Sequence, residues 1–287
     1  MDSDTKHPDD FLSVRVQNMI DPVGLVGLCA GYECSEWRAA QLATHLIEWL
    51  PEFALTYSER EGLASHNAVA LIAQAARIVY TSEKYRNRGE IGELLLHVAV
   101  RQVFNTLPAI SKYYYKDSEN DTVKGFDAVH IVDSPNSLEL WLGEVKFYTS
   151  IAKAIRDVVL ELKAHFERDY LRSEFAAVIK KIDDAWSHAE RLKKLLHKNT
   201  SLDEIFDCLC IPVFLTYESE TITSYSAVTE EFNAAFAGEV AKHYESFRSK
   251  VLPSKFVIQL FLFPMKSKAL LLHHFNERLK ACQMMAG

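Results

Sequence analysis

The sequence predicts an α/β protein, a mixed β-sheet flanked by helices, and three observations carry that expectation. From Gly89 the residue pattern runs helix, three strands, helix, strand. Two apolar runs, Leu209 to Tyr217 and Lys255 to Phe263, have the unbroken hydrophobicity of strands covered on both faces. Only ten glycines and eight prolines punctuate 287 residues, which favours long helices and buried strands over repeats and linkers.

Taken in order, Val23 to Ala30 reads as a short strand and Ser35 to Leu50 as an amphipathic helix stopped by Pro51. A second helix is expected over His66 to Val79. These segments make residues 1–84 an N-terminal strand and helical elaboration, structural or partner-facing, ahead of a core spanning 85–287 that ends in a strand and a helix. Gly89 to Phe104 brings Ile91, Leu94, Leu95 and Val98 near one helical face, with Glu93 and His97 four apart and therefore adjacent, and Pro108 ends it. The aromatic run Ser111 to Tyr115, then Val123 to Val132 and Leu138 to Tyr148, joined by the turn residues Asp133-Ser134-Pro135-Asn136, predict a three-stranded meander. Ile151 to Tyr170 has helical spacing, with Ile151, Ile155, Val158, Val159 and Leu162 as its buried stripe, and a long charged helical region follows to Lys198. Glu230 to Phe247 and Lys266 to Cys282 predict the last two helices.

Composition narrows the function classes. With 48% hydrophobic and 25% charged residues the chain can bury a sizeable core. A net charge of −7 means that any nucleic acid must meet a local gathering of basic residues rather than a generally attractive surface. The opening residues carry acids where a secretory signal needs a basic and then an apolar segment, and no apolar stretch approaches the ~20 residues of a membrane helix, so a cytoplasmic protein is expected. Five cysteines without a Cys-x-x-Cys pair argue against a thiolate zinc site and a disulfide framework; they read as small buried hydrophobes. There is no Walker loop, dinucleotide-binding glycine turn or Gly-x-Ser-x-Gly elbow.

The chemistry concentrates in Gly143-Glu144-Val145-Lys146-Phe147-Tyr148. Side chains alternate along a strand, so Glu144 and Lys146 share a face, roughly 6 to 7 Å apart. Charges at the end of an otherwise apolar strand are costly unless they are paired or bind a metal. Asp127 lies on the preceding strand after Gly125 and Phe126, where a short hairpin lets it meet Glu144. Their carboxylates and the Val145 carbonyl suit a hard cation such as Mg²⁺, with Mn²⁺ as a substitute, and Lys146 is then placed to orient a water or stabilise a pentavalent transition state. Glu93 enters through a water or completes a second metal site; Glu90 competes with it for that role. The set Glu93, Asp127, Glu144 and Lys146 points to phosphodiester cleavage.

Other residues have weaker claims. His97 and His130 read more readily as hydrogen-bonded core histidines, His130 on the face opposite Asp127. Lys153 and Arg156 follow the motif strand, and Lys193 and Lys194 lie in the most basic stretch, Arg191 to Lys198; all four are candidates for nucleic-acid contacts, balanced against a solvated helix surface. Tyr113, Tyr114 and Tyr115 read as strand packing.

The order helix with an acid, meander with Asp and then Glu-x-Lys, helix, strand resembles the PD-(D/E)xK nuclease superfamily over roughly residues 85 to 220, with Gly125-Phe126 standing where a proline often precedes the Asp. That resemblance implies a restriction-endonuclease-like core and a metal-dependent nuclease built on Glu93, Asp127, Glu144 and Lys146. More narrowly, Arg88-Gly89-Glu90-Ile91-Gly92-Glu93-Leu94, Lys124-Gly125-Phe126-Asp127 and Leu142 to Tyr148 resemble the HamA family, the nuclease subunits of the Hachiman anti-phage defence system. This likeness extends over most of the chain. It implies a DNA substrate, a HamB-like helicase partner and a DNA-degrading effector held inactive until infection. The alternative is a non-catalytic adaptor of the same fold that binds and regulates a helicase.

Overall fold

The computed structural model describes residues 7–19, 22–61, 67–79, 89–111, 125–134, 137–251 and 256–285. Before residue 85 these form β1 (Ser13–Asn18), β2 (Val23–Cys29), the short strands β3 (Tyr32–Glu33) and β4 (Glu36–Trp37), and helices α1 (Ala39–Glu48), α2 (Leu50–Ala54), α3 (Tyr57–Arg60) and α4 (Ala68–Val79). There follow α5 (Gly89–Phe104), β5 (Leu107–Pro108), β6 (Ala128–Ser134), β7 (Ser137–Phe147), α6 (Ile151–His165), α7 (Arg168–Lys181), α8 (Ala189–Leu195) and α9 (Leu202–Phe206). The chain then runs through β8 (Leu209–Glu218), α10 (Glu220–Ser224), α11 (Glu230–Arg248), β9 (Val257–Met265) and α12 (Lys268–Met285).

The expected mixed sheet flanked by helices is present: seven strands in the order β1-β2-β9-β8-β7-β6-β5. The four strands β2, β9, β8 and β7 run parallel, whereas β1 pairs antiparallel with β2, β6 with β7 and β5 with β6. Parallel strands need both faces covered, and β2 and β8 are accordingly apolar throughout nearly their whole length. Residues before 85 therefore supply two strands of this sheet, with β2 seated directly against β9.

Two glycines set the depth at which α5 lies on the sheet. A Cβ at Gly92 would come within 2.7 Å of Phe147 Cβ, and one at Gly143 within 2.7 Å of Leu96 Cδ2. Helix and strand thus approach more closely than side chains at these points permit. Because successive β7 residues alternate, Gly143, Val145 and Phe147 face α5, while Glu144 and Lys146 face α6 on the other side.

A buried polar cluster ties α2 and α5 to β6. Arg101 is fully buried, donates from Nε to Glu52 Oε1 at 2.6 Å and from Nη1 to the Thr106 carbonyl at 2.5 Å. His97 lies between Glu52, at 3.2 Å, and His130, also at 3.2 Å. Both histidines are core residues on the α5 side of the sheet, and a small cavity that they border is also lined by Asp127.

Several boundaries differ from the sequence reading. The helix expected from Ser35 begins only at Ala39, because Cys34 and Ser35 take positive φ, 48° and 66°, in the turn joining β3 to β4. Pro51 opens α2 rather than only closing α1, its missing N–H being harmless in the first turn. Helix α5 ends at Phe104, where Asn105 adopts φ 50°, and Pro108 belongs to β5. The first strand of the meander is β5 at 107–108; of the expected strand 111–115 only Ser111 is described, outside any strand, and Tyr113, Tyr114 and Tyr115 lie outside the described residues, as do Pro135 and Asn136. The helical reading from Ile151 to Tyr170 breaks after His165, where Phe166 stacks on Phe256 at 4.1 Å and Glu167 is extended, and the charged region beyond divides into α7 and α8. Strand β1 went unanticipated because it lies at an edge of the sheet and buries none of its residues. All five cysteines are free, as expected, but Cys34 is exposed and Cys208 half-buried.

Candidate metal centre

The register of β6 on β7 sets the site. Ala128 pairs with Gly143, which brings Asp127, one residue earlier, to the end of the ladder beside Glu144. The Asp127 N–H donates to the Gly143 carbonyl at 2.8 Å, and its carboxylate Oδ2 accepts the Val145 N–H at 2.9 Å. A strand residue sends its N–H and C=O to the same side, so the Val145 carbonyl faces the same open edge beyond the start of β6.

Glu144 is only 1% exposed. Burial, reinforced by the nearby Asp127 carboxylate, pushes its pKa up to about 7, although His165 and Lys146 pull the other way. Two carboxylates crowded at one strand end, one of them desolvated, make a donor set that a hard divalent cation completes. The residues present therefore fit Mg²⁺.

Lys146 points to the same face and pairs with Glu161 of α6. Burial alone would lower the Lys146 pKa, but the Glu161 carboxylate, with Glu144 and Asp127 behind it, raises it, so the side chain stays a cation. One turn further along α6, His165 Nδ1 is 2.5 Å from Glu144 Oε1. Its ring lies flat against Tyr170, with centroids 4.6 Å apart and planes within 5°, and meets Phe126 edge-on at 5.1 Å.

These groups open onto one cleft of about 940 Å³. Of the residues expected from sequence, Glu93, Asp127, Glu144, Val145, Lys146 and Lys153 line it. Glu93, Asp127 and Glu144 do not bring their ligand atoms all within 4.8 Å of one another; among the described residues the group of three that does is His273, His274 and Glu277 on α12. Glu90 does not line the cleft. Lys153 lies over the Tyr148 ring at 4.8 Å, whereas Arg156 pairs with Asp157 at 2.9 Å and Lys193 with Asp184. Lys193 and Lys194 border a separate, open hollow on α8.

A sequence model of the HamA family matches residues 5–279. The chain belongs to the HamA family. HamA is a component of Hachiman defence, and that system is the chain's context. No curated protein matches the chain. Among the described residues of this family member no helix is long and apolar enough to cross a membrane.

Four cleft residues escaped the sequence reading: Glu161, His165, Tyr170 and Lys268. Glu161 and His165 are four apart on the helix after the motif strand, a spacing that puts them on one face, and that signal was available. Tyr170 depended on the break after α6. Lys268, which donates to the Phe147 carbonyl at 2.5 Å and sits 4.4 Å from its ring, reaches the cleft only because β9 places the start of α12 there.

Proposed function

We propose that this protein is a Mg²⁺-dependent deoxyribonuclease, the DNA-cutting effector of its defence system, working with a HamB-like helicase that controls it. The observation that carries this reading is the convergence of Asp127, Glu144 and Lys146 on one face of a strand end, at the floor of an open cleft.

Asp127, Glu144 and the Val145 carbonyl would hold the cation, with Glu93 reaching it through water. When bound, Mg²⁺ supplies charge neutralisation at a phosphate oxygen and a more acidic water. Asp127 is held in place by the Val145 N–H, so the strand itself aims one ligand. Lys146, paired with Glu161 on the face it shares with Glu144, serves as an electrostatic group that orients the nucleophilic water or steadies charge on the phosphorane. Lys153 and Lys268 at the cleft wall suit the flanking phosphates of a DNA strand, two cations beside the carboxylates that line the same cleft.

Digestion of supercoiled and linear plasmid in Mg²⁺, with and without the helicase, tests the reading. Wild type degrades DNA and Lys146→Ala reduces the rate by at least about 100-fold, the scale of one transition-state electrostatic contact, while thermal unfolding stays cooperative. Equal cleavage by the variant removes the assignment. Absence of cleavage in every condition, together with no Mg²⁺ or Mn²⁺ affinity, leaves the adaptor role.

A further inference from the structure

Building on the metal-nuclease reading, we propose that His165 is a positioning residue: it holds one oxygen of the Glu144 carboxylate by a hydrogen bond so that the other is presented to the cation.

The geometry carries this in three parts. Glu144 is almost fully buried, and its Oε1 lies 2.5 Å from His165 Nδ1. The imidazole is itself held on both sides: Tyr170, delivered by the turn after α6, stacks on its face, and Phe126, next to Asp127 in sequence, meets its edge. The ring therefore links α6, α7 and the Asp127 segment to one carboxylate. Finally, His165, Asp127 and Glu144 do not bring their ligand atoms all within 4.8 Å of one another, while His165 Nδ1 is already engaged with Glu144 Oε1. A carboxylate tied at one oxygen binds Mg²⁺ through the other, and a cation that tolerates little departure from octahedral geometry depends on that oxygen's direction. Partners that orient metal ligands in this way typically change metal affinity or activity by about 10- to 100-fold when removed.

The test is Mn²⁺ binding to the full-length protein in the absence of DNA, followed by calorimetry, for wild type, Asp127→Asn, His165→Phe and His165→Asn. His165→Phe keeps an aromatic ring for Tyr170 and Phe126 but lacks a donor; His165→Asn places an amide N–H near the Nδ1 position. We expect Asp127→Asn to abolish binding, His165→Phe to weaken it about 10- to 100-fold, and His165→Asn to recover most of the affinity. The Mg²⁺ concentration for half-maximal cleavage should rise in His165→Phe by the same factor with the KM for DNA unchanged. Should His165→Phe misfold, His165→Leu provides the donor-free comparison. Wild-type affinity in the donor-free variant overturns the proposal and leaves the metal reading standing, and so does equal loss in His165→Phe and a well-folded His165→Asn, which would make packing the cause. No Mn²⁺ binding by wild type, or binding indifferent to Asp127→Asn, overturns the metal reading and the proposal with it.

Discussion

The same substitution, glycine to alanine in a helix, should change stability with opposite signs at two positions. Gly92 lies within α5, and its missing Cβ is what lets the helix rest on β7: a methyl there would sit 2.7 Å from Phe147 Cβ and 3.1 Å from Val145 Cγ2. The first of these atoms belongs to the root of a side chain on a central strand and cannot swing away, so α5 itself must move. Overpacking of this kind costs about 1 to 3 kcal/mol, against a gain in helix propensity of about 1 kcal/mol. The net expectation for Gly92→Ala is a loss of up to about 2 kcal/mol, read as a lower urea midpoint at unchanged m-value. Gly238 is exposed within α11, with nothing within 4 Å of its would-be Cβ, so Gly238→Ala should gain about 0.5 to 1 kcal/mol. Glu93 follows Gly92 on the same helix, so a displaced α5 should also lower cleavage. A Gly92→Ala protein stabilised as much as Gly238→Ala would show that the α5–β7 approach is not governed by the absent Cβ, and the account of how α5 is seated would fail.

Arg101→Met keeps the bulk of a buried side chain but leaves Glu52 only Arg60 and His97 as partners, so the loss should be a part of the about 3 to 5 kcal/mol that a fully stranded buried charge costs; a urea midpoint within error of wild type would refute the role of the pair. Acid should destabilise the fold in two stages. Burial holds the His45 pKa down at about 4 from 6.5, so the neutral ring is favoured in the folded state and its contribution fades as pH falls from 6.5 towards 4. Burial of Glu52 would raise its pKa, but His97, Arg101 and Arg60 outweigh it and hold it at about 2 from 4.5, so that contribution persists above pH 4.5 and is lost as pH falls towards 2. Thermal unfolding from pH 7 to 3 should show the decline, and Glu52→Gln should flatten its lower part; a curve of unaltered slope below pH 4.5 in that variant would contradict the assignment.

What could be read from the chain alone was whatever depends on short-range periodicity. Alternation along β7 put Glu144 and Lys146 on one face, and a hairpin of the observed register brought Asp127 to them; these follow from strand geometry and a local turn. Helix α5, β8, β9 and α11 were legible for the same reason, as long apolar or amphipathic runs. The tertiary structure alone decided what faces those residues. That β2 pairs with β9, more than two hundred residues away, that the chain turns after His165 to lay Tyr170 on its ring, and that Lys268 arrives at the cleft from the start of α12 are outcomes of long-range packing. No local pattern encodes them, because the energy that selects them is the burial of whole faces against one another and is shared among residues far apart in sequence.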